Sequence, residues 1–265
     1  MNLDYDFLLK YYQQVSSSIH RASIVQKAVL PSSEQLSKWL QDVVVFYYPR
    51  DVVSGDFYWW TRIEDKVFIA VADCAGHGIP AALMTMTVYP LMQKIVNDEH
   101  INAMEVLYRL NQAVISLLHQ TSKDALCQDS LDIGLVRIDL QTRQLQFSGA
   151  YRPLIIIRNN EFIEFKGDKA SIGGVNKYFE IRRSYALHEI DIQPDDYCYL
   201  FSDGFCDQFG GENNKKYSQN RLVELFKRIH VFTGKTQEQI LLEEFQKWKG
   251  NNVQIDDVTV VGFKF

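Results

Sequence analysis

Apolar, strand-like runs in this chain repeatedly meet aspartate where they begin or end. Asp56 opens an aromatic run (VSGDFYWW), and Asp73 closes one ahead of a glycine turn (VADCAGHG). Asp203 follows another run (YLFSDGF), and Asp256 with Asp257 precedes the last one (QIDDVTVVGF). A carboxylate at the edge of a buried strand must be hydrated, paired or ligated, because an unpaired buried charge is costly. A single such Asp is ordinarily a turn former. Four sites of the same kind point instead to a shared positive partner. Oxygen-only ligation by Asp and backbone carbonyls suits Mg²⁺ or Mn²⁺. Two such ions roughly 3.5–4 Å apart serve in-line attack on a phosphoester. The residues alone therefore suggest a two-metal phosphoester hydrolase, with Asp-rich loops and caps as the competing explanation.

The balance of residues narrows the alternatives. Net charge is −5 and the pI is near 5.7, without the basic stripe expected of a nucleic-acid binder. Cys74, Cys127, Cys198 and Cys206 form no CxxC pair, and the six His show no HxxxH spacing, so Cys- or His-based metal sites lack support. Scattered Cys suit free thiols in a reducing compartment. The apolar runs fall well short of the about 20 residues of a spanning helix, and the acidic start has no signal-peptide character. These features predict a cytoplasmic chain, or the cytoplasmic output domain of a larger sensor.

Periodicity predicts a helix over residues 4–29 with a heptad-like seam of Leu8, Tyr11, Val15, Ser18, Ala22, Val25 and Val29. The same pattern also fits an amphipathic helix packed on its own domain. Pro31 ends it. Strands are expected at 43–48, 58–60, 66–72, 131–139, 144–149, 154–158, 161–165, 179–187, 197–202 and 258–264. Asn159-Asn160 forms a turn that tolerates positive φ. Helices are expected at 81–96, with Pro80 in the first turn, and at 102–120, 219–229 and 236–249. Strands, two helices, many strands and then helices indicate α+β layering in one domain over residues 33–265, with 1–32 as a helical lead-in.

DVVSGDFYWW, VADCAGHGIPAALMTM, LYRLNQAV, SGAYRPLIII, YLFSDGFCDQFGG and IDDVTVVGF stand in the order and approximate spacing of the SpoIIE-like branch of the PP2C (PPM) serine/threonine phosphatases. The resemblance covers about residues 40–265. It implies an αββα sandwich, two antiparallel sheets with helices outside, and two Mn²⁺ or Mg²⁺ ions at one edge of the sheets. It places Asp73 as the carboxylate bridging both ions and Asp56 as a ligand of one. Asp203 and Asp256 become ligands of the other, and Cys74 completes the cluster through its backbone carbonyl. Asp257 stands where relatives often have Asn, which gives it a supporting place at the metal site. His77 and Gly78 belong to the glycine turn, with His77 not a ligand, and the eukaryotic-type general-acid His has no clear counterpart. Arg152 lies in a motif that often reads AGHPP in relatives and reads GAYRP here; a contact with substrate is one reading for it, and a packing or surface role is the one expected. Phe209, Gly210 and Gly211 resemble a flap-side turn. Trp59, Trp60 and Trp248 read as core aromatics.

The resemblance further implies hydrolysis of phosphoserine or phosphothreonine on a bacterial signalling protein, with a phosphorylated anti-sigma-factor antagonist of the STAS type as the leading substrate. It also implies a homodimer through the lead-in helix. Two rival readings are a pseudophosphatase that binds a phosphoprotein without turnover, and a two-metal hydrolase of small molecules. No Walker-type loop or nucleotide fingerprint supports the latter.

Overall fold

The structure is a computed structural model and describes residues 2–97, 99–122, 124–174 and 184–265. A long helix, α1 (Asn2–Val29), is followed by the short α2 (Ser33–Leu36). Three strands come next, β1 (Gln41–Tyr48), β2 (Asp56–Ile63) and β3 (Lys66–Cys74), and then helices α3 (Gly78–Ile95) and α4 (Ala103–Leu117). A run of strands follows: β4 (Ser130–Asp139), β5 (Gln144–Ala150), β6 (Leu154–Arg158), β7 (Glu161–Phe165), β8 (Ile172–Gly173), β9 (His188–Asp191) and β10 (Tyr197–Phe201). The chain closes with α5 (Gly204–Asp207), the hairpin β11 (Phe209–Gly210) and β12 (Lys215–Lys216), helices α6 (Gln219–Ile229) and α7 (Gly234–Lys249), and β13 (Val258–Lys264).

The strands form two antiparallel sheets, one ordered β1-β13-β10-β6-β7 and the other β2-β3-β4-β5-β9 with β8 beside β4. Side chains alternate between the two faces of a strand, and the alternation here separates three apolar layers. Along β3, Val67, Ile69 and Val71 enter the layer between the sheets, with Val136 and Ile138 of β4 and Leu200 of β10. Phe68, Ala70, Ala72 and Cys74 face the other way and meet Val88 and Met92 of α3 and Val106 and Leu110 of α4. Tyr199 of β10 and Val260 of β13 meet Phe226 of α6 and Phe245 of α7. The result is the αββα order implied by the resemblance. Each large side chain fully buried in these layers contributes about 1.5–3 kcal/mol, so all three layers are needed to hold the sandwich.

Most expected elements lie within a few residues of their places. Asn159 and Asn160 take φ of 49° and 65°, as the turn between β6 and β7 requires. Trp59 and Trp60 are buried, whereas Trp248 is only partly so and lies under the Arg221 guanidinium. The strand expected at 179–187 lies mostly outside the described residues, and β9 begins just beyond it. The short elements β8, α5, β11 and β12 carry too few residues to show a period. Of the seam on α1, Leu8, Tyr11, Val15 and Val25 are exposed. The helix meets its own domain through an adjacent stripe, where Ser23 and Gln26 are buried. Gln26 reaches the loop ahead of β2: its amide donates to the Ser54 carbonyl (2.7 Å) and to Thr85 of α3 (2.9 Å), and accepts the Ser54 N–H (3.0 Å).

At Gly204 the turn leaving β10 presses on the start of β13. A Cβ there would lie 1.9 Å from the Asp257 carbonyl oxygen, and backbone cannot swing aside as a side chain can. Gly204→Ala is therefore expected to lower the unfolding free energy by at least the 1–3 kcal/mol typical of overpacking, or about that order. Urea denaturation checks this, and an unchanged midpoint would contradict it.

Candidate metal centre

Strand register brings the carboxylates together. Asp56 of β2 pairs with Asp73 of β3, and Asp73 pairs with Asp132 of β4. Three Asp thus stand side by side across three neighbouring strands. All three continue the side of their strands that faces the other sheet, at the edge where the apolar layer ends. Asp203, just after β10, and Asp256, just before β13, approach from the opposite sheet. Asp73, Asp132, Asp203 and Asp256 line one pocket of about 270 Å³ with Ala75, Gly76, His77, Ser130, Arg152 and Ser171. Like charges directly opposite in a sheet destabilise it, so this row needs compensation.

Asp56 lies deepest, 1% exposed. Its Oδ2 accepts the Ser202 hydroxyl across the sheets (2.5 Å), and its N–H donates to Ser54 Oγ (3.0 Å). Burial, with help from the Asp257 and Asp256 charges, pushes its pKa up to about 8 against the lowering effect of Ser202. Burial first, then the Asp56 charge, also raises Asp73 well above the carboxylate range, and burial raises Asp256 to about 6. Asp257 is placed differently. Its two oxygens accept the N–H groups of Arg50 and Gly55 (2.7 Å each), which pins the loop ahead of Asp56 to the start of β13. Cys74 turns its thiol into the helix-side layer, while its N–H donates to the Gly55 carbonyl (3.1 Å). Burial raises the Cys74 and Cys206 thiols, so both stay protonated near neutral pH. His77 is half-exposed at the rim and pairs with Asp51 (3.2 Å).

Asp132 was not foreseen at this site, and Arg152 was expected mainly to pack or lie at the surface. Arg152 does not take the packing or surface role expected of it. Its Nη2 lies 2.7 Å from Asp203, 2.9 Å from Asp132 and 3.4 Å from Asp73, with the side chain 13% exposed. Burial opposes its charge, but those three carboxylates more than offset this and raise its pKa above the usual Arg value. Asp132 also accepts the Ser171 hydroxyl (2.7 Å). Its sequence signal was available: it is a charged residue on the inward parity of a strand whose neighbours of that parity are apolar.

Two divalent cations are the group implied by the resemblance, and the donor chemistry fits them. The donors are hard oxygens; Asp56 is buried and Asp73, Asp203 and Asp256 partly so, and burial, ahead of the neighbouring carboxylates, raises the pKa of Asp56, Asp73 and Asp256, whose protons a cation would displace. Among the described residues no three of these groups close a ready cage around one point. The Arg152 guanidinium stands among them instead.

Residues 63–265 match the family described as Stage II sporulation protein E (SpoIIE). The chain is 27% identical over 198 residues to phosphoserine phosphatase RsbU of Bacillus subtilis (strain 168), covering 72% of this chain and 54% of RsbU. It thus spans about half the length of that relative. The SiaA-PP2C domain of Pseudomonas aeruginosa superposes with a TM-score of 0.85 at 31% identity, covering 96% of this chain and 98% of that domain. RsbX, solved in complex with magnesium, superposes with a TM-score of 0.59 at 13% identity over 84% of this chain and 94% of that chain, a likeness of fold alone.

The raised carboxyls give a pH dependence with a definite sign. A carboxyl whose folded pKa exceeds its unfolded value stabilises the fold as the acid and loses that contribution as pH rises through the folded value. Metal-free protein should therefore lose stability between the ordinary value of 3.8 and about 8. Added Mn²⁺ should raise Tm more at about pH 8 than at about pH 5, because metal competes with protons for the same oxygens. Thermal melts with chelator and with Mn²⁺ check this; a Tm gain independent of pH would show that the carboxylates are already balanced within the chain.

Proposed function

We propose, for a chain that belongs to the SpoIIE family of PP2C-type phosphatases, that it hydrolyses phosphoserine or phosphothreonine on a signalling protein. The observation that carries this reading is the gathering of Asp56, Asp73, Asp203 and Asp256 from both sheets at one edge. We assign Asp73 the bridging place between two Mn²⁺ or Mg²⁺ ions, Asp56 to one ion, and Asp203 and Asp256 to the other, with the Cys74 carbonyl completing the set. Asp257 acts in support by fixing the loop that carries Gly55 and Asp56. When bound, such ions supply a nucleophile from water at neutral pH and polarise the phosphoryl oxygens. The chain's own part is to hold the donors still. Ser202 fixes the orientation of Asp56, and the Gly55 and Arg50 amides fix Asp257. The two cysteines nearest the acidic cluster, Cys74 and Cys206, carry buried, protonated thiols unsuited to attack, which supports water as the nucleophile and hydrolysis without a phosphoenzyme.

The pocket favours a protein substrate over a small molecule. Sites for small molecules are commonly about 300–1,000 Å³ and mostly apolar. This pocket is lined by four carboxylates rather than apolar side chains, with room for a phosphorylated side chain at a protein surface. A phosphorylated anti-sigma-factor antagonist of the STAS type is the proposed substrate, in the cytoplasm. That RsbU is named a phosphoserine phosphatase supports phosphoserine. No helix among the described residues is long and apolar enough to cross a membrane.

Residues 1–32 are proposed as a regulatory lead-in that supports a homodimer. The exposed Leu8, Tyr11, Val15 and Val25 offer α1 to a second copy. Gln26 links the same helix to Ser54 and so to the loop before Asp56.

Asp73→Asn is expected to lower Mn²⁺-dependent turnover of a phosphorylated antagonist by at least about 100-fold. EDTA should abolish turnover, while Cys74→Ser and Cys206→Ser keep most of it. EDTA-resistant activity lost with either cysteine would overturn the water-nucleophile reading. Equal turnover of aryl phosphate and phosphoprotein would overturn the substrate class.

Gln26→Ala leaves the Ser54 amide and carbonyl without their partner, a loss of about 1–3 kcal/mol. It should raise the Mn²⁺ concentration needed for half-maximal turnover. Light scattering of the full chain, compared with a chain starting near Ser33, tests the dimer. Two monomers of equal activity and metal affinity would remove the regulatory reading.

A further inference from the structure

Arg152 is poorly explained as a packing residue. Among the described residues its Nε is buried with no hydrogen-bond partner, and its ion pairs with Asp73, Asp132 and Asp203 are all made by one nitrogen. The turn that carries it is built with care. Tyr151 holds φ of 59°, and Arg152 N–H donates back to the Ala150 carbonyl (2.7 Å). The Arg152 carbonyl packs so close to Gly149 that a Cβ there would come within 2.4 Å of it. Backbone strain of this kind persists only where the surroundings enforce it. The side chain ends in a pocket whose only other basic lining residue, among the described residues, is His77.

A pocket lined by Asp73, Asp132, Asp203 and Asp256 repels a phosphoryl dianion, and an anchor for that group must be cationic. A guanidinium presents several N–H donors in a rigid fork matched to phosphoryl oxygens. We propose that Arg152 binds the phosphoryl group of the substrate, and that Asp132 is the residue that positions it. Of the three carboxylates it touches, Asp73 and Asp203 belong to the assigned ligand set. Asp132 does not. Its Oδ1 accepts the Ser171 hydroxyl and its Oδ2 faces Arg152, so it keeps the guanidinium at the pocket when the other two turn to metal. The second N–H of the same nitrogen, released from Asp73 and Asp203, would then be open to a phosphoryl oxygen. The inference rests on the phosphatase reading above.

The test uses the full chain loaded with Mg²⁺ or Mn²⁺ and inorganic phosphate as the probe. Calorimetric phosphate binding to the Mg²⁺-loaded protein should weaken about tenfold or more in Arg152→Ala. With Mn²⁺, KM for aryl phosphate and phosphoprotein should rise by a similar factor, with kcat changed less. Arg152→Lys should recover part of the loss. Asp132→Asn should move phosphate binding in the same direction by a smaller factor. Phosphate binding and KM unchanged in Arg152→Ala, with tighter Mn²⁺ binding alone, would overturn the proposal and reduce Arg152 to a counter-ion. If Arg152→Ala does not fold, the phosphate titrations of Arg152→Lys and Asp132→Asn decide on the same criterion. A wild-type chain that binds phosphate through Arg152 yet turns over no phosphoester would count against the phosphatase reading and leave the anchor standing.

Discussion

Everything at this site follows from strand register at the edge of the inter-sheet layer. The face of β3 that buries Val67, Ile69 and Val71 carries on, two residues further, to Asp73. The facing residues of β2 and β4 at that level are Asp56 and Asp132. The same alternation that packs the core therefore delivers carboxylates to its rim. Such a row opposes the close packing that created it unless positive charge is supplied. Arg152 supplies some of it from the β5–β6 turn. Burial, ahead of the neighbouring carboxylates, still raises the pKa values of Asp56, Asp73 and Asp256, so the cluster holds protons that a divalent cation would displace.

The layers were legible because their elements are long and strongly patterned. The strands of β3 and β13 are apolar on both faces, and α3 and α4 have clear starts, one at the glycine turn before Pro80 and one where Asn102 caps the helix through the Glu105 N–H. The Asp at strand ends were legible for the same reason, since each interrupts a run. Arg152 was misread because its surroundings are set by contacts far apart in sequence. Asp203 and Asp73 reach it from β10 and β3, and no local pattern announces that. Asp132 was overlooked because it lies within β4 rather than at the end of an apolar run, so that only its inward parity marks it. The heptad spacing of α1 described a real stripe, but the stripe that packs on the domain lies one residue over, at Ser23 and Gln26. A polar residue such as Gln26 carries no hydrophobic signal, although its three hydrogen bonds fix how the helix sits.

The two sheets contribute different parts of the same centre. Asp56, Asp73 and Asp132 ride on one, while Asp203 and Asp256 ride on the other. Hydrogen bonds join them at the rim, among them Ser202 to Asp56, the Gly55 amide to Asp257 and the Tyr47 hydroxyl to the Asp56 carbonyl. Arg152 reaches Asp73 and Asp203 at once and so ties the same two halves by charge.

The Ser202–Asp56 hydrogen bond makes the inter-sheet layer a spacer for the chemistry. Val71, Leu200 and Val261 set how far apart the sheets stand, and that separation in turn sets the distance between the two halves of the acidic cluster. A side chain altered deep in this layer, with no contact to the pocket, is thereby converted into a change of gap at the rim. The oxygens there tolerate shifts of only tenths of an ångström if they are to share ions. A substitution in this core is thus answerable to the site above it as well as to stability, and the site tolerates a narrower range of layer volume than folding alone would demand.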